Sequence, residues 1–130
     1  AAAVARLREL GVRRVALADT VGDADAAAVL AVLAEVSGPA GLGLHLHAAP
    51  GEWRDKLEVA LDHGVRWFEG ALGGVGGCPF AAAGLVGNLP TEHVLPWLAG
   101  EGLSVAPDLT ALPELAEAAL RLARQDGGAG

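Results

Sequence analysis

The sequence predicts an α/β fold with about three parallel strands and covering helices, and three observations carry that expectation. Helical and strand-like patterns alternate along the chain. The strand-like runs are nearly continuous in apolar residues, as strands buried on both faces are. Finally, Leu10-Gly11-Val12-Arg13 and His63-Gly64-Val65-Arg66 both set a helix-ending glycine just before a strand, a weak repeat of one αβ unit.

Taken in order, residues 1–10 form an Ala-rich helix stopped by Gly11, and Val12 to Leu17 form a buried strand that runs out into Asp19-Thr20. Asp23 or Asp25 caps a second helix whose Val29, Leu30, Leu33 and Val36 share a face, ended by Gly38-Pro39. The second strand is Leu42 to His47. After the Pro50-Gly51 turn, Trp53, Leu57, Ala60 and Leu61 recur at helical spacing up to Gly64, and Val65 to Glu69 is the third strand. Beyond the glycine-rich stretch Gly70 to Gly77, helices are expected near Phe80 to Val86, Thr91 to Ala99 and Leu112 to Ala123. Residues 1–125 then make one partial domain, and 126–130 a disordered tail.

Length and composition narrow the function. A chain of 130 residues is too short to close an eight-strand α/β barrel, which takes about 250. There is no methionine, and the chain opens directly in a helix, so a C-terminal piece of something larger is expected. The net charge of −7, with the basic residues scattered singly or in pairs such as Arg13-Arg14, disfavours nucleic acid and anionic membrane surfaces. The longest apolar stretch, Ala26 to Ala34, is roughly half a membrane span. One cysteine cannot build a disulfide framework, and a reducing cytoplasm is the expected setting.

All three strands end in polar candidates, where parallel α/β proteins gather their functional groups. His45 and His47 are two apart on a strand, so both imidazoles leave the same face and can grip one cation; the plain alternative is a hydrogen-bonded pair at a strand end. Asn88 could add a carbonyl oxygen, and Asp19 or Glu92 a carboxylate. That mixed nitrogen and oxygen set suits Mg²⁺ or Mn²⁺ better than the rival structural zinc site of His45, His47 and Cys78, which has only three soft ligands.

Cys78 follows four glycines in five residues, a backbone able to bring its thiol to a bound substrate, although a small buried hydrophobe would fit the same composition. Asp19 is a candidate acid-base group, left free because Asp23 and Asp25 are better placed to cap the following helix. The plain alternative for Glu92 is to complement the dipole of the helix that Pro90 introduces. His63 and His93 are expected to face solvent, and Arg54 and Lys56 to be ordinary surface residues.

The order of motifs is distinctive. Leu17-Ala18-Asp19-Thr20-Val21-Gly22, His45-Leu46-His47, Gly76-Gly77-Cys78-Pro79-Phe80-Ala81 and Gly87-Asn88-Leu89-Pro90-Thr91-Glu92 resemble the C-terminal half of the 3-hydroxy-3-methylglutaryl-CoA lyase family. The resemblance implies the C-terminal part of a (β/α)8 TIM barrel. It implies His45, His47 and Asn88 as ligands of a divalent metal, Mg²⁺ or Mn²⁺, with Cys78 as the catalytic thiol and Asp19 and Glu92 as active-site carboxylates. The implied reaction is retro-Claisen cleavage of a 3-hydroxyacyl-CoA to acetyl-CoA and a ketoacid such as acetoacetate.

Two positions differ from the family pattern: Ala48 stands where an aspartate commonly follows the second histidine, and Glu69-Gly70-Ala71 where an aspartate and serines are usual. The family's first-strand aspartate ligand and its neighbouring arginine belong to an N-terminal half that this chain does not contain. The chain is therefore expected to need an N-terminal half-barrel or a homo-oligomer partner, the alternative being an incomplete remnant that serves as a metal-binding or interaction module.

Overall fold

The structure, a computed structural model, describes residues 1–76, 86–105 and 108–126. Three parallel strands lie in the order β1 (Val15–Asp19), β2 (Leu42–Leu46) and β3 (Phe68–Glu69). They alternate with helices α1 (Ala2–Glu9), α2 (Ala26–Ala34) and α3 (Trp53–Asp62), and α4 (Thr91–Gly100) and α5 (Leu112–Asp126) follow. The parallel α/β expectation holds, with short 3₁₀ turns at Leu72–Gly74 and Leu109–Ala111 in addition.

The boundaries shift where backbone amides find partners outside the ladder. Gly11 ends α1 at φ +87°, and its N–H and that of Val12 bond back to Arg8 and Leu7, so the strand starts at Val15 rather than Val12. Val65, fully buried, donates to the Ala60 carbonyl at the end of α3, which trims the third strand to Phe68–Glu69. Asp25, not Asp23, caps α2 through the Ala28 amide. On α2 the buried residues are Val29 and Leu33, with Val36 buried just past the helix end. Leu30, expected on that face, lies about 100° round the helix from Val29 and is exposed. Asp108 caps the second 3₁₀ turn, and bonds from the Thr110 hydroxyl and amide hold its carboxyl below the ordinary aspartate range. Helix α5 continues through Asp126, the first residue of the expected tail. The helix expected near Phe80 to Val86 falls mostly on residues outside those described, as do residues 127–130; Val86 itself is described and is not helical.

Register decides which side chains meet. Leu17 pairs with Leu44 and Asp19 with Leu46, while Ala16 pairs with Gly43, Ala18 with His45 and His45 with Glu69. Paired positions share a face, so one face carries the leucines and is covered by the helices, with Leu42, Leu44 and Leu46 buried. The other face carries Ala18, His45 and Glu69 at its carboxyl end. At its opposite end Gly43 leaves room for the Trp67 ring, which a Cβ would meet at 2.2 Å, and Arg14 stacks over that ring at 5.6 Å. No helix among the described residues is long and apolar enough to cross a membrane.

Candidate metal and catalytic site

The site is built where β2 runs out. His45 is the fourth residue of β2, and His47 lies just past its end, bridged in antiparallel sense to Asn88. Their rings stand edge to face with centroids 5.1 Å apart, so the spacing of two does bring both imidazoles together. The Ala48 amide donates to the Gly87 carbonyl, which seats the 86–88 segment against the strand end.

Glycines make that seating possible by close approach. Gly73 and Gly74 lie at φ +66° and +60°, and a Cβ on Gly87 would sit 2.7 Å from the Gly74 carbonyl oxygen. The Asn88 amide then donates to the same carbonyl. As far as Gly76, the glycine segment is closely folded against residues 86–88.

Hydrogen bonds select the atoms each residue can offer. His47 Nδ1 lies 3.1 Å from the Val86 carbonyl, an acceptor only, so Nδ1 carries the proton and Nε2 the lone pair. His45 Nδ1 lies 2.9 Å from Glu69 Oε2, which directs the same tautomer in the neutral ring. A carboxylate or carbonyl behind a ligating imidazole is the usual way a metal-binding histidine is oriented. Asn88 Nδ2 donates to the Val75 carbonyl at 2.8 Å, which assigns the amide and makes its Oδ1 the atom a cation can use. Two imidazole nitrogens and an amide oxygen fit a hard or borderline divalent ion; no cluster of three His, Cys, Asp or Glu occurs among the described residues.

The carboxylates are placed differently. The argument that Asp19 stands free is corrected: Oδ1 accepts from the Gly22 amide at 3.0 Å and Oδ2 from the Ala24 amide at 3.1 Å. Its register partner is Leu46, so it leaves the sheet on the helix-covered side, not the histidine side. Glu92 accepts from the Gly73 amide at 2.9 Å and so ties α4 to the glycine turn. Cys78 lies outside the described residues. Of the two lone histidines, His93 is exposed as expected and His63 is half-buried.

Two residues were undervalued. Glu69, read as the polar end of the third strand and as a departure from the family pattern but given no role, is the partner of His45. Lys56, expected at the surface, is 5% exposed, with Nζ 3.0 Å from the His47 carbonyl oxygen and 3.9 Å from Asp19 Oδ2. The spacing held the signal, because Lys56 falls within the buried stripe Trp53, Leu57, Ala60 of α3.

A parallel α/β sheet with imidazole and amide donors gathered at its carboxyl end defines the class, a segment of an α/β-barrel enzyme. Comparison with known proteins makes it particular. Residues 1–119 match the HMGL-like family. The cytoplasmic 3-hydroxy-3-methylglutaryl-CoA lyase of Danio rerio is 38% identical over 112 residues, 84% of this chain and 33% of that protein. The hydroxymethylglutaryl-CoA lyase of Pseudomonas mevalonii is 35% identical over 127 residues, 95% of this chain and 41% of that protein. Among solved structures, the HMG-CoA lyase from Brucella melitensis superposes with a TM-score of 0.81 at 34% identity, covering 93% of this chain and 44% of that one. An HMG-CoA lyase from Acinetobacter baumannii, in complex with coenzyme A and 3-methylmalate, gives 0.77 at 36% identity, covering 94% and 41%.

The chain belongs to the HMGL-like family, and its fold is part of the TIM barrel of these lyases. It spans a third to two fifths of the length of the curated relatives named here.

Proposed function

We propose that this chain is the C-terminal, metal-binding and thiol-bearing part of an HMG-CoA lyase-like active site that cleaves a 3-hydroxyacyl-CoA to acetyl-CoA and a ketoacid such as acetoacetate. The observation that carries the reading is the pair of oriented imidazoles: both Nδ1 atoms are engaged by acceptors, so both Nε2 atoms are left as ligands, beside an Asn88 whose amide is already fixed. His45, His47 and Asn88 are the residues that would hold Mg²⁺ or Mn²⁺. A divalent cation held there would supply Lewis-acid polarisation that makes a substrate hydroxyl easier to deprotonate.

The chain's own residues do the rest of the work available to them. Transfer of the hydroxyl proton to a base, proposed to come from the remaining part of the barrel because Asp19 and Glu92 are engaged by backbone amides, lets the carbon–carbon bond break, with the hydroxyl-bearing carbon becoming a ketone and the bonding pair passing to the acetyl-CoA enolate. Cys78 is the proposed donor of the proton that converts this enolate to acetyl-CoA. Asp19 and Glu92 are proposed as active-site carboxylates that act by holding their loops, the turn after β1 and the glycine turn before Val75. An acyl-CoA substrate agrees with the coenzyme A bound in the Acinetobacter relative. The reducing cytoplasm remains the proposed compartment; relatives are named both cytoplasmic and mitochondrial.

The remaining strands are proposed to come from an N-terminal half-barrel or a partner copy. A second reading, an incomplete remnant that binds metal or a partner without turnover, is favoured by the departures from the family pattern at Ala48 and Glu69-Gly70-Ala71. Assaying HMG-CoA cleavage separates them. Activity is expected only when the chain is combined with the N-terminal part of the Pseudomonas mevalonii enzyme and Mg²⁺, and it is lost in Cys78→Ala. Robust turnover by the 130-residue chain alone would overturn the half-site reading, and inactivity of the combined halves would favour the remnant.

A further inference from the structure

Lys56 is a charged side chain in an apolar stripe, and a buried ammonium persists only where its surroundings compensate it. Here the compensation comes from two strand ends. The pairing of β1 with β2 stops at Asp19 opposite Leu46, so the next carbonyl along β2, that of His47, has run past the end of the neighbouring strand. Lys56 Nζ reaches up from α3 and donates to that carbonyl at 3.0 Å. The same ammonium is 3.9 Å from Asp19 Oδ2, with the two side chains only 6% and 10% exposed. Asp19 is in turn bonded to the Gly22 and Ala24 amides, and Gly22 packs so closely on His47 that a Cβ there would stand 3.3 Å from the His47 Cβ.

We propose that Lys56 is a positioning residue: its buried ammonium fixes the main chain of His47, and through it the imidazole, against the Asp19 turn. The proposal rests on the reading of His47 as a metal ligand. Lys56 touches neither the metal nor the substrate; it removes freedom from a ligand that the Val86 carbonyl and the Asn88 bridge hold from the other side. Outer groups that orient ligands in this way typically change metal affinity 10–100-fold.

The test is Mn²⁺ binding by the full 130-residue chain, followed by electron paramagnetic resonance, beside ¹⁵N shifts of the His47 ring in the metal-free chain. Removing Lys56 alone strands the Asp19 carboxylate, so the informative variant is Lys56→Met with Asp19→Asn, which leaves no lone buried charge. This pair is expected to melt near the parent yet bind Mn²⁺ roughly tenfold more weakly, with displaced His47 shifts. In the same Asp19→Asn background, Lys56→Gln keeps an N–H for the His47 carbonyl and is expected to recover most of the affinity. Parent-like affinity and parent-like His47 shifts in the double variant would overturn the proposal.

His47→Ala is the control for the underlying reading. If it binds Mn²⁺ as the parent does, or the parent binds none, the metal assignment falls. The ring shifts then decide the tether alone: displaced shifts uphold it and unchanged shifts refute it.

Discussion

The two histidines at the end of β2 are held in opposite ways. His47 is buried, its ring bonded to the Val86 carbonyl, its main chain bridged to Asn88 and its carbonyl taken by Lys56. His45 has a side chain 34% exposed, and its ring bond is to Glu69, a residue 44% exposed in its side chain. Two imidazoles with the same chemistry thus sit in a fixed inner position and an adjustable outer one. On the proposed reading, a site assembled from two halves of a barrel would gain from this arrangement. The inner ligand would define where a cation sits, and the outer one would adapt to whatever closes the open face beside Ala18.

The comparison predicts unequal consequences. His47→Ala is expected to have the largest effect, lowering Mn²⁺ affinity by on the order of 100-fold or more, since it removes a ligand and not merely an orienting group. It also empties a buried position and strands the Val86 carbonyl, for a stability loss of about 2–4 kcal/mol. Titration with Mn²⁺ and chemical denaturation read the two losses separately. If His45→Ala proves equally destabilising, the distinction between fixed and adjustable ligands is lost.

Gly22→Ala should come next, because it presses on the inner ligand without touching the chemistry. Gly22 sits at φ +78°, and an added Cβ would meet Val86 Cγ1 at 3.1 Å and His47 Cβ at 3.3 Å. A non-glycine residue in that left-handed region costs about 1–2 kcal/mol. The expected result is a destabilisation of that size together with a severalfold loss of Mn²⁺ affinity. A variant that loses stability but binds Mn²⁺ unchanged would show that the Asp19 turn and His47 are mechanically independent.

Much of this was legible in the residues, and the exceptions have physical causes. The three strands, an aspartate cap on α2 at one of two positions, the Trp53, Leu57, Ala60 face and the shared side of His45 and His47 follow from periodicity and local chemistry. The face taken by Asp19 does not, because it depends on whether Ala18 or Asp19 lies opposite His45. That register is set between strands far apart in sequence. Lys56 was misjudged because residue type outweighed position: a lysine usually seeks solvent, while its place in the stripe pointed inward. The same parity explains Glu69, whose register partner is His45 itself.

Glu69→Gln is the finest probe of the outer position. Glutamine keeps an acceptor for His45 Nδ1 but removes the negative charge behind the ring, which otherwise raises the imidazole's strength as a ligand. Because the pair is well exposed, its contribution to folding is small, within about 1 kcal/mol, and the melting temperature should hardly move. Mn²⁺ affinity should still fall, by roughly tenfold or less, at the low end of what an orienting group contributes. The contrast in kind matters more than the size: at His47 a variant should cost folding and binding together, whereas at Glu69 it should cost binding alone. Loss of stability in Glu69→Gln comparable to that of Gly22→Ala would mean that the outer histidine is as rigidly built in as the inner one.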